Sequence, residues 1–130
     1  MNSTPKIGTI GELSFVVREE HAIDFSNDAM PAVLSTPWLI WFLEHAARNS
    51  ILDLLDPGES TVGTHIEVQH LAATPLGNQV VCLARVISVD RWMLSFQLEA
   101  RDEHERIARG LHKLRVINID RFASRVRAKT

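Results

Sequence analysis

With 130 residues, 45% of them hydrophobic and 23% charged, the chain is long enough for a single domain with its own core and too short for several. A net charge of −2 gives no overall field to gather nucleic acid or an anionic membrane surface, so neither partner is expected. The opening Met1-Asn2-Ser3-Thr4-Pro5-Lys6 has no apolar signal region, no uncharged run reaches the ~18 residues of a membrane span, and the lone Cys82 permits no intrachain disulfide. A cytoplasmic protein is expected.

Residues 12–17, Glu12-Leu13-Ser14-Phe15-Val16-Val17, read as a first strand. Residues 18–35 read as irregular, with Asp24, Asn27, Asp28 and Pro31 as turn formers. Thr36-Pro37 then reads as a helix start, threonine as N-cap and proline at the first helical position. Asp56-Pro57-Gly58 is the stop signal, so the helix is expected to run to about Leu55. At 3.6 residues per turn, Leu39, Ile40, Leu43, Ala47, Ser50, Ile51 and Leu54 form the main apolar stripe. Trp38, Trp41, Phe42 and Leu52 fall on the other side.

From residue 61 the period becomes two. Val62, Thr64, Ile66, Val68, His70 and Ala72 are expected on one face of a strand. Pro75-Leu76-Gly77-Asn78 reads as a turn, 79–89 as a strand containing a buried Cys82, and Asp90-Arg91 as a tight turn. Trp92, Leu94, Phe96, Leu98 and Ala100 share a face of the next strand, Asp102–Glu105 turns again, and 106–119 form a long last strand. The connections are too short for helical crossovers, which makes the sheet antiparallel. The reading is α+β: a long central helix wrapped by an antiparallel sheet of about five strands. The helix's second apolar side would stay uncovered in a monomer, and a dimer or larger assembly is expected.

Glu44 lies in Pro37-Trp38-Leu39-Ile40-Trp41-Phe42-Leu43-Glu44-His45-Ala46-Ala47, with no other charge before Arg48. A carboxylate in so apolar a run is costly unless it is paired, hydrogen-bonded or protonated. One reading is an i,i+4 ion pair with Arg48. The other is acid–base chemistry with His70, the inward-facing imidazole of the first long strand. The free N–H groups of a helix start at Thr36 suit a developing oxyanion. Thr36 and Glu44 stand ~12 Å apart along the helix, so a shared site needs an extended substrate or a twofold axis. His112, inward with Ala108 and Val116, is the reserve candidate. The remaining histidines read as loop or surface residues. After Asp120 the tail carries Arg121, Arg125, Arg127 and Lys129 without an acid. It reads either as a solvated helix or as a contact to phosphates of a cofactor or substrate. No phosphate-binding glycine loop, Cys-x-x-Cys, His-Glu-x-x-His or Gly-x-Ser-x-Gly is present, so no metal site is expected.

Nearly the whole chain resembles hotdog-fold thioesterases, most closely the fluoroacetyl-CoA thioesterase family. The resemblance rests on Leu43-Glu44-His45-Ala46, on residues 55–64 (Leu-Asp-Pro-Gly-Glu-Ser-Thr-Val-Gly-Thr), and on residues 70–77 (His-Leu-Ala-Ala-Thr-Pro-Leu-Gly). Gly110-Leu111-His112 and residues 122–127 add to it. The family's threonine, glutamate and histidine fall on Thr36, Glu44 and His70. The resemblance implies a hotdog homodimer, with pairing into a dimer of dimers left open, acting on an acyl-CoA without a cofactor. Glu44 would be nucleophile or base, His70 would move protons and polarise the bond, and Thr36 would position the thioester. Gly63 and Thr64 would bring backbone close to the acyl group. Met30, before Pro31, stands where the fluoroacetyl-specific enzyme has a lid phenylalanine, and methionine is less shape-specific. Leu114 stands where the family tends to place an arginine, with Arg115 next to it. A non-catalytic acyl-CoA binding protein and a hotdog dehydratase or isomerase are the alternatives, since fold does not fix function.

Overall fold

A computed structural model describes residues 1–27 and 29–130; Asp28, expected to help form a turn, lies outside them. The elements are β1 (Ile10–Val16), α1 (Thr36–Asn49), β2 (Glu59–His70), β3 (Gln79–Asp90), β4 (Met93–Arg101), β5 (Arg106–Asn118) and α2 (Ile119–Arg127). Short 3₁₀ turns occupy Glu19–His21 and Leu52–Leu54. All strand pairs are antiparallel, in the order β1-β3-β4-β5-β2, so β1 and β2 are the two edges. No described helix is long and apolar enough to cross a membrane.

Alternation places the core. Cys82, Ala84 and Val86 of β3 lie opposite Ala100, Leu98 and Phe96 of β4, and all six are buried. Leu94 of β4 and Leu114 of β5 extend the same row. Leu39, Leu43, Ala46 and Ala47 of α1 close over it with no exposed surface, together with Ile51 just past the helix. Each such leucine or isoleucine removed from water contributes about 1.5–3 kcal/mol. Burial pushes the Cys82 thiol up to about 12.

Several expectations are corrected. Ser35, not Thr36, is the N-cap residue, with extended backbone (φ −77, ψ 148) and no side-chain cap bond. Its own N–H is tied to the His21 carbonyl at 2.8 Å, which fixes where the chain enters the helix. α1 stops at Asn49 rather than near Leu55: Ser50 Oγ donates to the Ala47 carbonyl at 2.6 Å, and Ile51 leaves helical geometry (φ −125, ψ 3). Phe42 is buried, not on an open side, because Phe15 of β1 stacks on it with ring centroids 3.6 Å apart. Trp92 sits in the β3–β4 turn, half exposed, instead of sharing a strand face with the buried Leu94, Phe96, Leu98 and Ala100.

The largest correction lies in β2. A bulge between Gly63 and His65 shifts its register against β5. Before it, Thr61 and Gly63 oppose the buried Val116 and Leu114; after it, Ile66, Val68 and His70 oppose His112, Gly110 and Ala108. The inward phase therefore changes from odd to even positions. Val62 pairs with Arg115 on the outer side, and Thr64 leaves the ladder.

Candidate active site

Two groups of side chains are assembled within one chain. In the first, the start of α1 meets the end of β2: Thr36 Oγ1 and His70 Nδ1 lie 2.8 Å apart. Burial pushes His70 below the ordinary imidazole range, and its interaction with the Ala72 backbone offsets part of that shift. Its Nε2 is buried and has no hydrogen-bond partner among the described residues. The Ser35 side chain makes no cap bond, so the free Thr36 and Trp38 N–H groups at the start of α1 donate to no side-chain oxygen among the described residues beside this pair.

The second group forms where the middle of α1 passes the bulge. A methyl built on Gly63 would lie 3.4 Å from Glu44 Oε1 and 3.3 Å from His112 Cε1, so glycine lets backbone, carboxylate and imidazole approach together. His112 is buried, and its Nδ1 donates to the His65 carbonyl at 2.9 Å, which fixes the ring. Glu44 is half-buried and has no hydrogen bond or ion pair among the described residues. The i,i+4 pair with Arg48 is not formed. An uncompensated carboxylate at such a place is expected to have a use in binding or chemistry.

The structure thus sorts the expected site residues differently from the sequence. Thr36 goes with His70, and Glu44 goes with His112 and Gly63. Thr64 turns its hydroxyl outward, donating to the Lys113 carbonyl at 3.2 Å. Met30 is exposed on the segment before α1, its N–H 3.2 Å from Asn27 Oδ1. Leu114 fills the inward position beside His112, which places Arg115 on the outer face. His21, expected in a loop, is a buried histidine on a 3₁₀ turn, packed edge-on against Phe15, Trp38 and Phe42. Its burial follows from the aromatic side of α1, which periodicity alone had left unpartnered.

A family model described as fluoroacetyl-CoA-specific thioesterase (FlK) matches residues 17–120. A fluoroacetyl-CoA thioesterase of Streptantibioticus cattleyicolor is 37% identical over 100 residues, covering 77% of this chain and 72% of that protein. Among solved structures, a variant of FlK in complex with acetyl-CoA superposes with a TM-score of 0.88 at 30% identity, covering 96% of this chain and 98% of that one. A hot-dog-like protein from Thermanaerovibrio acidaminovorans gives 0.86 at 24% identity, covering 95% and 91%, a likeness of fold alone. The α+β architecture is the hotdog fold, and the chain belongs to the fluoroacetyl-CoA-specific thioesterase family.

Proposed function

We propose that this protein hydrolyses an acyl-CoA thioester to the free acid and CoA. The observation that carries the reading is the unpaired Glu44 carboxylate at Gly63, in a chain of this family. Glu44 delivers the attacking oxygen, either from its own carboxylate or from a water it deprotonates. His70 stays neutral at working pH, because burial lowers its pKa. With Thr36 donating to Nδ1, the ring's hydrogen sits on Nε2, where it polarises the thioester carbonyl and later serves the leaving thiolate. Gly63 brings backbone against the acyl group, and His112 holds one wall beside the carboxylate. Met30 offers a pliable cover in place of a shaped one, which favours acyl groups other than fluoroacetyl.

The two groups complete one site only across a dimer. Gly63 and His70 are seven residues apart on one strand, about 20 Å. β2 is an edge, so its outer backbone groups are available to the β2 of a second copy. Antiparallel pairing about a twofold between Ile66 and Glu67 sets His70 of one copy opposite Gly63 of the other. Each dimer then carries two composite sites. The exposed Trp41 on α1 and Leu52 on the 3₁₀ turn that follows it, at 46% and 39%, are apolar surface that such a partner would cover.

Thiol release from a panel of short, branched and aromatic acyl-CoAs tests the reading. Turnover by the wild type, reduced about 10²–10⁴-fold in Glu44→Gln and His70→Ala with folding intact, is the expected result. No release from any thioester would contradict it.

A further inference from the structure

A second recessed surface lies outside the site. It is a groove of ≈ 440 Å³ where α2 folds back beside β5, lined among others by Arg115, Arg121, Arg125, Trp92, Phe122 and Glu59. Its geometry is built in. Asn118 Oδ1 caps α2 by accepting from the Arg121 N–H at 3.0 Å, and the Ile119 N–H donates to the Gly58 carbonyl at 2.9 Å. Arg121 and Arg125 are one turn apart and therefore share a helix face. Arg115 reaches the groove from the outer face of β5, and the Val116 N–H donates to the Trp92 carbonyl at 2.8 Å, which locks the turn carrying the indole.

The lining selects a type of ligand. None of the three guanidinium groups has a carboxylate within ion-pair distance among the described residues. The one acid, Glu59, is already engaged: its Oε1 accepts from the Asp56 N–H at 2.8 Å, and the Met1 nitrogen lies 2.7 Å from the same oxygen. Trp92 and Phe122 expose 50% and 42% of their surface, and neither stacks on another ring among the described residues. Three unpaired arginines beside two open aromatic faces suit a ligand with several phosphates and a flat heterocycle. The groove also borders the site. Arg115 pairs with Val62, and the next residue, Gly63, is the one that faces Glu44.

The geometry points to this groove as the seat of the 3′-phosphorylated ADP portion of CoA, with Arg115, Arg121 and Arg125 on the phosphates and Trp92 or Phe122 against the adenine. This assignment rests on the acyl-CoA substrate proposed above. It makes the groove an affinity site: it sets KM for CoA thioesters and leaves the chemical step to Glu44 and His70. Arg127, two residues beyond Arg125, does not line the groove and serves as the internal control.

The test is calorimetric titration of the intact protein with adenosine 3′,5′-bisphosphate, beside steady-state kinetics on one acyl group carried by CoA and by N-acetylcysteamine. The wild type binds the bisphosphate, and Arg121→Ala/Arg125→Ala binds it at least about tenfold more weakly. Arg127→Ala binds like the wild type. The double variant raises KM for the CoA thioester with kcat unchanged and leaves KM for the N-acetylcysteamine thioester where it was. No binding by the wild type, equal binding by the double variant, or KM raised for both thioesters alike would overturn the assignment. A chain that hydrolyses no thioester but loses the bisphosphate with the two arginines would remove the proposed hydrolysis and leave the groove standing.

Discussion

At the scale of residues, Gly63 is the glycine that borders both Glu44 and His112. It has no side chain to contribute, yet a methyl there would crowd both His112 and Glu44 at 3.3 and 3.4 Å. Gly63→Ala is therefore expected to displace the carboxylate by a few tenths of an ångström, lower kcat by about 10–100-fold, and leave the fold intact. Thermal melting beside kinetics separates the two effects. His70 makes a pH expectation. Its folded pKa is lowered by burial, so the unfolded chain takes up this proton at about 6.5 while the folded chain resists until lower pH. Stability from this group is present above about 6.5 and falls as the pH drops below it. The acidic limb of kcat/KM attributable to the ring lies below that same value, and its absence from a pH profile of the wild type would argue against a working role for neutral His70. Glu44 was legible in the sequence because an apolar run made its charge conspicuous. Its neighbour His112 was legible only as a reserve, since nothing in the spacing says which histidine an inward carboxylate will meet.

At the scale of elements, the helix seat is set by β1. A Cβ on Gly11 would overlap the Ala46 carbonyl oxygen, backbone against backbone, and no side-chain rotation relieves it. Gly11→Ala is expected to lower stability by about 1–3 kcal/mol in denaturant unfolding; an unchanged midpoint would mean that α1 shifts freely on the sheet. The five strands and the central helix followed from periodicity and from turn residues such as those at 75–78 and 102–105. The β2 bulge did not. The alternation of Val62, Thr64 and Ile66 reads as one continuous strand, and only pairing with β5 shows that Thr64 drops out of it. Thr36 looked like a cap because threonine and proline suit a helix start. Its hydroxyl meets His70 instead, 34 residues away in sequence, a contact local pattern does not encode.

At the scale of the whole molecule, the two halves of the site and the open β2 edge belong to one argument. Pairing of two copies along β2 would bring the carboxylate beside Gly63 in one copy to the imidazole at the end of β2 in the other. We propose that each site takes Glu44 from one copy and His70 from the other. The most direct measurement mixes Glu44→Ala with His70→Ala, each expected to lose about 10²–10⁴-fold of its activity alone, by refolding them together and assaying thiol release. Mixed dimers would hold one intact site out of two, so about a quarter of wild-type activity is expected to return. No activity beyond that of the separate variants, with mixed dimers shown to form, would contradict a shared site.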